Sequence, residues 1–228
     1  MNDHARDLAS VRDATERLLT AAAKLDNAAL RKPSRLPDWS RGHVLAHVAR
    51  NADALVNVLQ GRPMYASAAA RDRDIERDAM RDLDTQLADL RTSAARFEAA
   101  TEAPADWSRT VELRGGVTES ASRVPFRRLA EVELHHVDLG IGYELEDLPD
   151  EFTQQEIIFL TERFRGLDAV PPLLIKQDDG RALRTGRREG DPITVTGRQA
   201  DLLGWLAGRR EPVALTASGG ELPTLPPL

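Results

Sequence analysis

The sequence has no cysteine among its 228 residues. No disulfide can form, so bridges give no information on the redox compartment in which the protein works. The protein also has no thiol of its own. Any thiolate chemistry that it carries out must therefore use a thiol supplied by a cofactor.

Long apolar runs are also missing, and no segment approaches the roughly 20 apolar residues needed to cross a bilayer. The first residues lack the basic-then-apolar form of a signal peptide. The formal net charge of -6 argues against nucleic acid or an anionic membrane surface as the main partner. We therefore expect a soluble, cytoplasmic, monomeric protein whose partners are small molecules.

Aromatic residues are few, whereas alanine, leucine and arginine are abundant, a composition that favours helix. Apolar residues recur at helical spacing in the first two thirds of the chain. This spacing predicts four helices, at about Asp3–Lys24, Ser40–Leu59, Ala68–Ala100 and Pro125–Gly142. Antiparallel helices with such apolar seams form a bundle, which we place in residues 1–150.

The pattern changes after Asp150, where short strand-like runs alternate with helical segments. The predicted elements are a helix at Thr153–Leu167, strands at Leu173–Lys176 and Ile193–Thr196, a helix at Arg198–Ala207 and a last strand at Val213–Thr216. We therefore expect a small α/β domain in residues 151–228. The fold class is then α + α/β, a four-helix bundle followed by a small C-terminal α/β domain.

One stretch of the fourth predicted helix has the spacing of a metal site. Glu131 and His135 are four residues apart, so their side chains are neighbours on one face. Asp138 lies one turn further along the same stripe, as a carboxylate that orients a ligand or as a solvated charge. Two ligands rarely hold a catalytic ion, and His47 on the second predicted helix is the best third ligand.

Other histidines leave alternatives open. Glu133 and His136 are three residues apart and form a second geometrically possible ligand pair. However, His136 falls on an apolar stripe, which favours a packed histidine. His43 lies one turn before His47 and competes with it as a ligand, and His47 itself has the apolar neighbours of a core histidine.

Four stretches together resemble the mycothiol-dependent maleylpyruvate isomerase family. They are LPDWSRGHVLAHVARNADAL from Leu36 to Leu55, Met64-Tyr65, EVELHHVDL from Glu131 to Leu139, and LGWLAGR from Leu203 to Arg209. The resemblance implies a bundle of the DinB-like kind and a C-terminal domain similar to sterol-carrier modules. It also implies a zinc ion held by His47, Glu131 and His135, with Arg209 lining the active site. It identifies no residue that binds the thiol cofactor.

The function implied by the resemblance is cis-trans isomerisation of maleylpyruvate to fumarylpyruvate, a step of gentisate degradation, with zinc and mycothiol as cofactors. The substrate carries two carboxylates, and Arg209 is the residue expected to clamp them. Trp39 and Tyr65 are interpreted as packing residues. The alternatives are a zinc- and mycothiol-dependent S-transferase, a non-catalytic module that holds a hydrophobic ligand, and a structural bundle without metal.

Overall fold

A computed structural model describes residues 4–102 and 106–227. The chain divides into two compact units, one ending at Gly142 and the other beginning at Tyr143. The first unit is helical with one small hairpin, and the second combines helices with a four-stranded sheet. The predicted fold class is confirmed by this arrangement. No helix among the described residues is long and apolar enough to span a membrane.

Within its described residues, the first unit contains six α-helices and a two-stranded antiparallel hairpin. The helices are α1 (His4–Ala22), α2 (Asn27–Leu30), α3 (Arg41–Leu59), α4 (Ala68–Ala79), α5 (Leu83–Glu102) and α6 (Val124–Asp138), and the strands are β1 (Thr110–Glu112) and β2 (Thr118–Ser120). Four long helices form the bundle: α1 packs against α5 and α6, and α3 also packs against α5 and α6. The predicted start of the first helix at Asp3 lies outside the described residues.

Local signals in the sequence begin both helices that carry the site. The Ser40 side chain accepts a hydrogen bond from the His43 backbone N–H, and the His43 ring bonds back to Ser40, which forms a capping box at the start of α3. Pro125 lies in the first turn of α6. A backbone N–H at this position would have no partner within the helix, so proline, which lacks the N–H, is tolerated there. α3 and α6 pack against each other, with Val48 and Val132 completely buried.

The prediction of one long helix over Ala68–Ala100 is wrong. The segment forms two helices, α4 and α5, which are separated by residues 80–82. The Asp82 carboxylate accepts a hydrogen bond from the Thr85 backbone N–H at 2.8 Å, so it caps a new helix instead of continuing the old one. The Gln86 side chain donates to the Ala79 carbonyl at 3.0 Å and satisfies the end of α4.

The second unit packs two helices with a four-stranded sheet. Its elements are α7 (Asp150–Phe164), β3 (Leu173–Gln177), β4 (Ala182–Thr185), β5 (Ile193–Gly197), α8 (Gln199–Leu206) and β6 (Thr216–Ser218). The strand order is β4-β3-β5-β6, in which β3 and β5 are parallel and the other pairs are antiparallel. Ile175 of β3 pairs with Val195 of β5, and both side chains are completely buried.

Two details of this sheet differ from the prediction. The last strand begins at Thr216 and not at Val213, because Pro212–Ala214 form a 3-10 turn that is closed by a hydrogen bond from Leu215 N–H to the Pro212 carbonyl. Proline cannot donate to a strand ladder, so a turn at this point is favoured. Strand β4 was not predicted from the sequence. Its exposure alternates along the strand and only Thr185 is buried, but the short run Ala-Leu-Arg-Thr has no alternation of polar and apolar residues.

An ion-pair network in this unit makes a testable contribution to stability. Arg210 donates to both carboxylate oxygens of Glu146, at 2.7 and 2.9 Å, and also to Asp201 at 2.8 Å. The hydrogen bonds from Arg210 lower the pKa of Glu146 to about 2. Because the folded pKa lies below the unfolded one, this stabilisation is complete above the unfolded pKa and is lost as the pH falls towards about 2.

Replacing Glu146 by glutamine is therefore expected to lower the free energy of unfolding at neutral pH by about 1 kcal/mol, a value that allows for the screening of this exposed pair. The difference from the unchanged protein should shrink as the pH falls from about 4.5 to about 2. Urea denaturation of both proteins at several pH values measures this difference in the free energy of unfolding. A difference that stays constant over this range would mean that the Glu146 charge does not contribute.

Candidate metal centre

Three side chains meet between α3 and α6. The Nε2 atom of His47 lies 2.9 Å from Oε2 of Glu131, and Nε2 of His135 lies 3.3 Å from the same oxygen. The two imidazole rings meet edge to face, with centroids 4.6 Å apart. Helix α6 supplies Glu131 and His135 from adjacent turns, while α3 supplies His47 from across the helix pair. The three predicted ligands are thus brought together at one point.

Asp138 determines the orientation of one of these rings. Its Oδ2 atom lies 2.8 Å from Nδ1 of His135, and its side chain is completely buried. The carboxylate accepts the Nδ1 proton, so Nε2 is the nitrogen that faces Glu131 and His47, and it becomes available to a metal ion when its own proton is lost. A carboxylate behind a metal-binding histidine fixes the tautomer and raises the basicity of the ligand nitrogen.

The charges of the three side chains are strongly coupled. Burial lowers the pKa of His47, and the opposing hydrogen bond with Glu131 does not overcome it. Burial acts to raise the pKa of Glu131, but the hydrogen bonds from His135 and His47 hold it well below its ordinary value. For His135, burial acts to lower the pKa, but Asp138 and Glu131 outweigh it and raise the pKa. The raised pKa favours the protonated form of His135, which competes with the binding of a metal ion.

The donor set fits a divalent metal ion of the zinc type. The ligand atoms of His47, Glu131 and His135 all lie within 4.8 Å of one another. Two imidazoles and one carboxylate are three protein ligands, a number that leaves a fourth position open, as in catalytic and not structural zinc sites. The Glu131 side chain keeps 32% of its surface exposed, so the centre is accessible on that side. Among the described residues, no other such cluster is found.

The other sequence candidates lie elsewhere. The Nδ1 atom of His43 bonds to the Ser40 backbone and side chain, and its Nε2 lies 3.2 Å from Glu76, so this histidine serves to cap α3. Glu133 pairs with Arg17 of α1 at 2.5 Å. His136 is buried and lies outside the cluster.

Arg209 belongs to the second unit. It follows α8, and its guanidinium donates to the Ala207 carbonyl at 2.7 Å, near the C-terminal end of that helix. A cation in this position interacts favourably with the carbonyl groups of the helix end. Arg209 also lines a cavity of about 410 Å³ together with the C-terminal tail of the chain. Its predicted role in substrate binding stays a prediction.

Comparison with known proteins gives the family. Residues 11–140 match the family described as Mycothiol maleylpyruvate isomerase N-terminal domain, and residues 147–227 match MDMPI C-terminal domain. The chain belongs to the mycothiol maleylpyruvate isomerase family. Together the two matched ranges include the three predicted metal ligands, His47, Glu131 and His135, and the predicted substrate residue Arg209.

Two solved structures are similar over almost the whole chain. One is a crystal structure of the mycothiol-dependent maleylpyruvate isomerase, with a TM-score of 0.86, and the other is a mutant of that isomerase in which a histidine is replaced by alanine, with a TM-score of 0.89. Each is 27% identical in sequence, with 99% of this chain and 97% of the other chain covered. No curated protein matches the sequence.

Two arginines lie near the candidate metal centre of this family member, and no role was predicted for either from the sequence. Arg128 is completely buried on α6, and its NH1 group donates to the Val48 carbonyl at 2.8 Å and to Asn51 at 2.9 Å. Burial lowers the pKa of Arg128 to about 10, so it stays charged at neutral pH. It precedes Glu131 by three residues, and its charge favours the ionised carboxylate. Its position three residues before Glu131 on the same helix is a sequence signal that could have identified Arg128.

Arg71 of α4 is the second arginine, and its NH2 group lies 3.3 Å from Nδ1 of His47. Because a guanidinium can only donate, Nδ1 accepts and the ring proton sits on Nε2, facing Glu131. If Nε2 held a metal ion, a neutral His47 ring would carry its proton on Nδ1 instead, and Arg71 could no longer donate to that nitrogen. No sequence spacing relates Arg71 to the ligands, so only the structure identifies it.

The role of Asp138 in this isomerase-family site can be tested by replacement with asparagine. The amide cannot stabilise a positively charged His135, and it can rotate its NH2 group towards Nδ1. Zinc affinity is expected to fall by about 10- to 100-fold. Competition with a chromogenic chelator measures the affinity, and exposed Asp84 replaced by asparagine is the matched control. Equal affinities in the two variants would remove Asp138 from the centre.

Proposed function

We propose that this protein is a zinc- and mycothiol-dependent isomerase that converts maleylpyruvate to fumarylpyruvate. The observation that carries the proposal is the cluster of His47, Glu131 and His135 in a chain that contains no cysteine. The cluster has the ligand number of a catalytic metal site, which supports the proposed zinc, and a reactive thiol must come from outside the chain. The family match and the names of the two similar structures agree with this chemistry.

The protein's own residues have distinct roles in this proposal. His47, Glu131 and His135 hold the ion, and Asp138 keeps the Nε2 atom of His135 directed at it. Glu131 adds a negative charge to the ligand set, and buried Arg128 nearby helps it to stay ionised. Arg209 is proposed to bind a substrate carboxylate through its planar guanidinium. When bound, zinc lowers the pKa of a coordinated thiol, and mycothiol supplies the nucleophile whose reversible addition turns the double bond into a rotatable single bond.

A proton NMR time course of maleylpyruvate with zinc-loaded protein tests the proposal, with and without mycothiol. Conversion to fumarylpyruvate is expected only when the thiol is present, with the amount of free thiol unchanged at the end. Consumption of thiol in proportion to substrate would indicate S-transfer, which the family match does not favour. No conversion by a zinc-replete sample with thiol would contradict the proposed reaction.

A further inference from the structure

A cavity of about 680 Å³ lies in the helical unit beside the metal centre. It is bounded by the loop between α3 and α4, the first turn of α4 and the hairpin of β1 and β2. Among the residues that the structure describes, four arginines line it, namely Arg62, Arg71, Arg109 and Arg114, and Glu112 is the only acidic residue of the lining. The cavity is therefore locally positive in a chain whose net charge is -6. Such a lining attracts a small anionic ligand.

Arg71 connects this cavity to the metal centre. It lines the cavity, and only 13% of its side-chain surface is exposed. One guanidinium nitrogen lies 2.8 Å from the exposed carboxylate of Asp72, and another lies 3.3 Å from Nδ1 of His47. Arg71 is therefore a residue of the cavity lining that directly contacts a proposed metal ligand.

Two further groups of the lining support binding of a carboxylate. Burial raises the pKa of the Tyr65 phenol, so it remains protonated and can donate a hydrogen bond. The guanidinium of Arg71 lies over its ring, 5.9 Å from the centroid. Arg114 is exposed, and its side chain forms no hydrogen bond or ion pair with any residue that the structure describes. Tyr65 thus lines a ligand cavity, in addition to the packing role expected from the sequence.

We propose that this cavity binds a carboxylate of the substrate and that Arg71 is the residue that selects for it, with Arg114 assisting at the entrance. The proposal rests on the proposed function, because it names the residues that recognise that reaction's dicarboxylate substrate. A guanidinium presents two parallel N–H groups that match the two oxygens of a carboxylate. Because Arg71 also contacts His47, a carboxylate bound by Arg71 is held next to a proposed metal ligand.

The test measures binding of maleate, a cis dicarboxylate that lacks the keto group, by titration calorimetry on metal-free protein and on zinc-loaded protein. The unchanged protein is expected to bind maleate in both states. Replacing Arg71 by glutamine should weaken this binding by about 10-fold or more, the effect of losing a charge-assisted hydrogen bond. Replacing Arg96 by glutamine is the matched control, because Arg96 pairs with Asp53 and does not line the cavity. This control should leave binding unchanged.

Several outcomes would overturn the proposal. These are no binding of maleate by the unchanged protein, equal binding by the Arg71 variant, or tighter binding of inorganic phosphate than of maleate. If the Arg71 variant fails to fold, replacing exposed Arg114 by glutamine decides the question, with an expected weakening of about 3-fold. Unchanged maleate binding in the Arg114 variant would then show that the cavity is not the carboxylate site.

The outcomes also separate this proposal from the proposed function. If the unchanged protein does not isomerise maleylpyruvate but binds maleate in a way that depends on Arg71, the reaction is wrong and the carboxylate site stands. If it isomerises maleylpyruvate and the Arg71 variant has the same KM for that substrate and the same affinity for maleate, the reaction stands and the carboxylate site is wrong. A raised KM for maleylpyruvate with an unchanged KM for mycothiol supports both.

Discussion

Replacing His47 by alanine is expected to abolish both zinc binding and turnover. His47 is the only one of the three proposed ligands that comes from α3, so its loss leaves two ligands on one face of α6. Losing a direct ligand should lower zinc affinity more than losing a residue that only orients a ligand, as Asp138 does for His135. We therefore expect zinc affinity to fall by more than about 100-fold. Turnover should fall by at least about 1000-fold, because the acidity of the bound thiol depends on the ion.

The measurements are zinc content after dialysis and the rate of fumarylpyruvate formation with mycothiol present. Replacing His43 by alanine is the matched control on the same helix. His43 bonds to Ser40 and Glu76, so its loss should lower the free energy of unfolding by about 1 kcal/mol and leave zinc content and turnover unchanged. Full zinc occupancy and normal turnover in the His47 variant would show that the ligand assignment is wrong.

Replacing Arg209 by alanine is expected to lower turnover by about 30-fold or more while zinc remains bound. The expectation follows from the proposed carboxylate contact, because removing one partner of a charged hydrogen-bonded pair costs at least about 2 kcal/mol. The structure gives Arg209 a second role, since its guanidinium donates to the Ala207 carbonyl. Loss of that bond alone should lower stability by less than about 1 kcal/mol and leave turnover unchanged.

Steady-state kinetics and zinc content distinguish these two roles. Replacing exposed Arg188 by alanine removes the same charge from the same unit at a position without a predicted role, and it should leave the kinetics unchanged. Kinetics of the Arg209 variant equal to those of the Arg188 variant, with only a small loss of stability, would remove Arg209 from the substrate site. Replacing Arg209 by lysine should restore part of the rate if charge is the main requirement.

The sequence by itself determined those parts of the site that depend on the geometry of one helix. Residues three or four apart on an α-helix share a face wherever that helix lies, so spacing alone made neighbours of Glu131 and His135, as it did of the rival pair Glu133 and His136. The family resemblance favoured the first pair. The contact between His135 and Asp138, three residues apart, follows from the same geometry. The lack of cysteine, which requires an external thiol, is likewise a property of the sequence alone.

Only the tertiary structure decided which distant residues meet these ligands. His47 is separated from Glu131 by 84 positions, and it reaches the carboxylate because α3 packs against α6. Arg71 reaches His47 because α4 packs against α3. The apolar pattern alone predicts one continuous helix through α4 and α5, and it does not show this packing. Spacing within a helix is fixed by backbone hydrogen bonds, whereas contacts between helices depend on how buried side chains pack together. The ligand pair on α6 was therefore readable from the sequence, and the arginine-lined cavity beside it was not.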